Sequence, residues 1–545
     1  MKNKIKRSLS VLVAVCVIAA LSVAAAPAGK AQAATRKKAA LSRKSVSVAT
    51  GKTRKLTVKN ANKKVRWSTT KKKVAYVKKT SGKRRQYAVI KAGKKAGTCY
   101  IKAKVGTRVL KCKVRVYKNG TGIVKWPPEE IERKIEKREL SGTSTDLTAG
   151  LSQTFGEPAE TTADFNTLMA DFSFNLLKNT IACDPAAQTG NSLVSPDSVL
   201  TALAMLENGA AGQTLTEMEN TFAPGMTADD FNAGLAAMNN RLISMGKPIY
   251  TVANSIWAKK GEMVVNPEFL QKNKNYHNAS FFEAPFNSNT VSDMNNWVYN
   301  NTRNMIDKIV DLDAIAEAKM VLMNAIAFEG RWIDDEEFSE GATKNEDFTK
   351  ADGTKQSVPM MNQTRTYQYL KLNGGQGFAK YYVANNGKDN IAFVGLLPPE
   401  GVSVDDYLAS IKGSDFITAW NSKEPAKLNI KVPKFNYDYS VSMRNVLPAM
   451  GMKTAFTDAA DFSGMIDMQN SPTKSLMVDD VLHKTHIELD EKGTKAAAVT
   501  AVIAKAGSVY DPSDPIPVHL NRPFVYALVD KETGIPLFIG AVRGL

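Results

Sequence analysis

The sequence predicts two folded modules in series: a small all-β sandwich of antiparallel strands, then a far larger domain whose late segment has the pattern of both a strand and a loop. Three observations predict this. Charge divides the chain: residues 1–128 hold 36 Lys and Arg and no acidic residue, whereas residues 129–545 hold the other 37 basic side chains against all 53 acidic ones. Balances of +36 and −16 describe separate modules rather than one uniformly basic fold. Residues 34–118 alternate apolar and polar side chains with a period of two, the period of a half-buried strand. Finally, Glu488–Ala504 runs from an acidic strand through Gly493 into more than ten small residues, with Lys495 the one charge before Lys505. Ala, Thr and Val in alternation lie in a sheet without steric cost. Yet Gly507–Pro515 follows with the proline, aspartate and glycine of an exposed loop. Such a segment can occupy two states.

The chain begins with a targeting pattern. Lys2, Lys4, Lys6 and Arg7 precede an apolar run from about Leu9 to Ala26, and Ala31-Gln32-Ala33 offers a small-residue cleavage site. Residues 1–33 therefore read as a secretory signal peptide, and the expected location is extracellular, with retention at a cell surface left open. Lipidation at Cys16 is disfavoured, because Val15 stands where a small residue is required. No later apolar stretch is long enough to span a bilayer, and any surface retention falls to the N-terminal module.

Within residues 34–118 the strand-like pieces are 55–59, 65–67, 74–77, 87–90, 100–103 and 113–117, separated by Lys- and Gly-rich turns. Val65-Arg-Trp-Ser-Thr69, Val74–Val77, Gly93 and Gly97–Ile101 resemble a bacterial immunoglobulin-like domain of the second group. Cys99 and Cys112 fall in the last two expected strands, so a cross-strand disulfide and two separate core thiols are both open; Cys183 is left over. About 30 cations on a module of roughly 85 residues would attract polyanions such as wall polymers, acidic glycans or nucleic acid. The alternative is a solvated spacer. Residues 119–144, with Pro127-Pro128 and charge-rich Glu129–Leu140, read as a linker containing one short helix.

Catalysis finds little support. The four histidines are His277, His483, His486 and His519, and no HExxH, GxSxG, paired CxxC or phosphate-cradling glycine loop occurs. The sequence calls for no metal and no cofactor.

Over about 400 residues the chain resembles the serpin family of protease inhibitors. The carriers include Asn191–Ser198, Ala202–Leu206, Gly209–Gly212, Ala253–Trp257 and Leu322–Trp332. Val358–Met361, Val432–Phe435, Ala460–Gly464, His483-Lys484, Asn521–Phe524 and Thr533–Gly540 continue the series. The resemblance implies an α+β fold over residues 145–545, with a large central β-sheet, surrounding helices and an exposed reactive loop. It also implies a monomeric inhibitor whose partner is a serine protease held in covalent complex. The protease attacks the loop and becomes acylated; the cleaved loop then inserts into the sheet as an extra strand, trapping the enzyme.

Family spacing places the hinge at Glu491, Gly493, Thr494, Ala496, Ala497, Ala498 and Thr500. Thr494, Ala496, Ala498, Thr500 and Val502 face inward on insertion, and each is small or apolar. The same spacing puts the reactive bond at Gly507–Ser508, which suits elastase- or subtilisin-like enzymes with shallow pockets. Cleavage after Ala504 or Ala506 gives the same preference, after Lys505 a trypsin-like one, and after Tyr510 a chymotrypsin-like one. Ser195, Ser198, Asn324 and His483 match the hydrogen-bonded shutter beneath the opening sheet. Trp332, Glu491 and Lys434 match the breach where the loop first enters, with Lys434 able to pair with Glu491. Ala541 after Gly540 departs from the family's usual basic residue. Two other readings stand beside inhibition: a non-inhibitory member, against which the small hinge argues, and an adhesin whose basic module does the work.

Overall fold

The computed structural model describes residues 39–42, 45–95, 97–117, 136–153, 161–246, 248–333, 336–383, 390–494 and 514–545. The chain forms two compact units, Met1–Gly122 and Ile123–Leu545.

The first unit contains two four-stranded sheets. One runs in the order Ala40–Leu41, Thr53–Lys59, Tyr87–Ala92, Ala75–Ser81; the other runs Ser45–Ala49, Arg108–Tyr117, Gly97–Val105, Val65–Thr69. Alternate residues from both sheets, among them Leu56, Ile90, Ile101 and Val114, share one core, as period-two strands require. One pairing departs from the antiparallel expectation: Ser45–Ala49 lies parallel to Arg108–Tyr117. The disulfide is not formed. Cys99 is opposite Val114 while Cys112 is opposite Ile101, so the two cysteines are diagonal neighbours, about 7–8 Å apart and beyond ordinary disulfide reach. Cys99 Sγ turns instead toward Thr69 Oγ1 at 3.9 Å.

Residues 136–140 form neither helix nor strand, and residues 129–135, the rest of the segment expected to carry a short helix, lie outside the described residues. Asn296, Asn300 and Asn304 account for the difference. The Asn300 amide bonds both the N–H and the C=O of Arg138, at 2.8 Å each, and Asn304 does the same for Glu136, at 3.0 and 2.9 Å. The end of the expected linker is thus strapped to helix Ser288–Asn301 and belongs to the second unit.

In that unit, the long helix Ala163–Cys183 starts at Thr162, whose side chain accepts from Phe165 N–H, a side-chain N-cap. A nine-stranded sheet carries the C-terminal strands Phe524–Asp530 and Pro536–Val542, both wholly buried. The second, seven-stranded sheet positions the site. Its order is Phe435–Ser442, Leu482–Asp490, Gly493–Thr494, Met320–Arg331, Ile249–Lys259, Ser280–Ala284, Thr145–Asp146. Helix Pro196–Glu207 packs under its centre, every residue buried. Among the described residues no helix is long and apolar enough to cross a membrane.

Candidate functional site

The site is the cleft of the seven-stranded sheet between Leu482–Asp490 and Met320–Arg331. Both strands pair antiparallel with the stub Gly493–Thr494: Thr494 lies between Gly330 and Leu489, and Gly493 between Arg331 and Asp490. The long strands are therefore parallel to each other, and among the described residues the stub joins them in place of a ladder of their own. Only glycine fits at 493. Its φ is +150°, and a Cβ there would meet Gly330 O at 2.0 Å.

The top of the cleft is aromatic and charged. The Trp332 ring stacks on Tyr382 at 4.4 Å, its N–H donates to Lys492 O at 2.8 Å, and its Nε1 donates to Asp490 O at 3.2 Å. Tyr382 Oη shares a 2.6 Å hydrogen bond with Thr494 Oγ1. On the other side of this stack, the buried Lys380 ammonium sits 5.1 Å from the Trp332 ring, 4.9 Å from Phe338 and 5.3 Å from Tyr367, within cation–π range. Burial pushes its pKa down to about 7. Lys434 Nζ donates to Glu491 Oε2 at 2.9 Å and Thr343 Oγ1 to Glu491 Oε1 at 2.9 Å. Burial alone would raise the Glu491 carboxyl; these bonds outweigh it and hold the group below its ordinary value.

Midway down, the cleft floor is neutral and hydrogen-bonded. Strand Ser192–Val194 ends where Pro196 opens the helix, and Ser195 caps it, its Oγ accepting from Ser198 N–H at 3.4 Å and donating to Leu537 O at 2.9 Å. Ser195 N–H donates to His483 Nε2 at 2.9 Å. The imidazole is thus a neutral acceptor, and burial pushes its pKa down to about 4. Ser198 Oγ donates to Asn324 Oδ1. Asn324 Nδ2 donates to Asn254 Oδ1 at 2.5 Å and Asn254 Nδ2 to His277 O at 2.8 Å. Sequence reasoning missed Asn254, although it lies within the quoted Ala253–Trp257. It also missed Tyr382, Thr343 and Lys380; a lone Lys inside the otherwise uncharged strand Gly375–Tyr381 was the one available signal.

Ala496, Ala497, Ala498, Thr500, Ala504, Lys505, Ala506, Gly507, Ser508 and Tyr510 lie outside the described residues, as does the signal segment 1–33.

Comparison with known proteins decides the family: the profile described as serpin (serine protease inhibitor) matches residues 167–544. The chain belongs to the serpin family. It is 30% identical over 378 residues to an uncharacterized serpin-like protein of Thermococcus kodakarensis, covering 68% of this chain and 83% of that protein. Iripin-8 of Ixodes ricinus is 30% identical over 384 residues, covering 68% and 91%. The crystal structure of the thermophilic serpin tengpin in its native state is similar with a TM-score of 0.67 and 36% identity, covering 74% of this chain and all of that one. Serpins are inhibitors of serine proteases and not enzymes, and the α+β architecture with large sheets is theirs.

Proposed function

We propose that this serpin traps serine proteases with shallow, small-residue pockets by acylation at the reactive loop followed by strand insertion. One observation carries the reading: the two-residue stub held between Leu482–Asp490 and Met320–Arg331. Continuing its antiparallel register, Ala496 reaches Phe328 and Ile487, Ala498 reaches Ile326 and Thr485, and Thr500 reaches Asn324 and His483. All six flanking residues are buried, so Thr494, Ala496, Ala498 and Thr500 take the inward face with small side chains. The same register brings Ala504 to Met320, where the neighbouring strand ends. Cleavage at Gly507–Ser508, or after Ala504, Lys505 or Ala506, thus releases enough chain to pair along the whole strand. The breach residues Trp332, Lys434 and Glu491 hold the upper end of the cleft, and Ser195, Ser198, Asn324 and His483 close its middle.

Residues 1–33 direct export. The basic module, free of carboxylates throughout residues 34–118, attaches the inhibitor to anionic polymers.

The test is to mix the protein with neutrophil elastase, subtilisin, trypsin and chymotrypsin, followed by denaturing electrophoresis and mass spectrometry of the released C-terminal peptide. A denaturant-stable band at the summed mass, formed with elastase or subtilisin and with cleavage near Gly507, is expected. Cleavage by all four without a stable complex would make the loop a substrate and leave attachment as the working function.

A further inference from the structure

The two outer faces of the N-terminal sandwich differ, and the difference locates a binding surface. On the sheet containing Thr53–Lys59, Ala75–Ser81 and Tyr87–Ala92, the outward positions mix aromatic, apolar and basic residues. Tyr76 is opposite Lys91, Lys55 is opposite Val89, and Lys55 Nζ lies 4.9 Å over the Tyr87 ring. On the other sheet the inward positions Val65, Ile101, Ala103, Cys112 and Val114 are buried. Among the residues whose side chains are described, its outward positions carry the cations Arg66, Lys102, Lys104, Lys111 and Lys113. Arg66 is directly opposite Lys104, and Lys102 is directly opposite Lys111.

Like charges directly opposite on paired strands repel, and residues 1–128 contain no carboxylate to relieve them. Strand geometry sets the spacing: outward residues recur about every 6.7 Å along a strand, and strands lie about 4.8 Å apart. The result is a regular array of cations spanning three strands. Four of the five are lysines, whose ammonium groups engage phosphate oxygens as point charges. Tyr100, 40% exposed, is the lone aromatic of this face among the residues whose side chains are described; nucleic-acid bases need a row of rings on which to stack.

We propose that this sheet face binds a linear phosphodiester polymer that carries no bases, one ammonium group to each phosphate. The inference deepens the attachment reading above and rests on it. The test uses the full chain and immobilised poly(glycerol phosphate), a base-free phosphodiester chain, with affinity measured across a series of NaCl concentrations. A Lys102→Gln, Lys104→Gln, Lys111→Gln variant removes three charges from the face. A Lys71→Gln, Lys72→Gln, Lys73→Gln variant removes three exposed charges from a turn. A Lys102→Arg, Lys104→Arg, Lys111→Arg variant keeps the charge of the face.

The face variant is expected to lose more than about tenfold in affinity at physiological salt, and its salt slope to fall by about two to three, near 0.7–0.9 for each lost phosphate contact. The turn and arginine variants are expected to keep the parent slope. Equal losses in the face and turn variants would overturn the face while leaving attachment by general charge. Absence of any binding by the parent chain would overturn both. Tighter binding to a single-stranded thymidine homopolymer, or to polyglutamate, would replace the phosphodiester assignment with a nucleic acid or a polycarboxylate.

Discussion

The breach and the shutter close the same two strands by opposite means. At the breach, an ion pair and stacked rings hold the strands; the Lys434 and Glu491 side chains are 37% and 10% exposed, so water compensates when they part. At the shutter, Ser195, Ser198 and His483 are 1–3% exposed and bond without formal charge. An exposed or partly exposed ion pair is worth about 0–1 kcal/mol, whereas leaving a buried donor unsatisfied costs about 1–3 kcal/mol. The Lys434–Glu491 pair is therefore easier to part than the buried bonds of the shutter. In the proposed mechanism, that order lets insertion begin at Thr494 while the middle still resists opening in the uncleaved molecule.

The largest expected effect is on the stub itself. Thr494 is 3% exposed with its hydroxyl on Tyr382. A Thr494→Arg change puts an isolated charge into this site at a cost of several kcal/mol, and the protein is expected to become a substrate. Gel densitometry of covalent complex against cleaved product reads the outcome; undiminished complex would break the strand-insertion reading.

The shutter comes next. His483→Ala removes the acceptor for Ser195 N–H, with an expected loss of about 1–3 kcal/mol in urea denaturation. Acid should mimic it. The folded pKa of His483 is about 4 and that of His277 about 3, both below the ordinary 6.5. The unfolded chain thus binds more protons in this range, so stability is full above about pH 6.5 and falls as pH drops toward 4 and then 3. A His483→Gln variant should show a shallower acid limb; an unchanged limb would move the titration elsewhere.

What the sequence carried, and what it did not, follows the same division. The inward parity expected for Ala496, Ala498 and Thr500 concerns residues outside the described ones. Ser195, Ser198, Asn324 and His483 were legible through ordered motifs, although motifs do not say which of them touch. The bonds run Ser195–His483 and Ser198–Asn324, with Asn254 interposed. The aromatic enclosure of Lys380 was hidden because Trp332, Phe338 and Tyr367 reach it from separate segments. The diagonal placement of Cys99 and Cys112 depends on a register set by a turn, and the strap at residues 136–140 depends on asparagines more than 150 residues away. Local pattern cannot encode either.

At the breach, Glu491→Lys both removes an attraction and sets like charges together beside Lys434. About 1–2 kcal/mol of local destabilisation is expected, with the upper cleft loosened and self-polymerisation promoted. Native electrophoresis after mild heating reads this directly, and a variant that stays monomeric would show that the ion pair does not guard the cleft.

Lys434→Gln is the sharper and smaller test. It deletes the attraction without adding repulsion, and Thr343 Oγ1 still donates to Glu491. Because the Lys434 side chain is 37% exposed, solvent screening leaves the pair worth at most about 1 kcal/mol. The urea midpoint should move less than in His483→Ala, and raising NaCl should narrow the gap between parent and variant. A Lys434→Gln loss equal to that of His483→Ala would mean the breach is as firmly closed as the shutter. Insertion would then need both ends to yield together rather than in sequence.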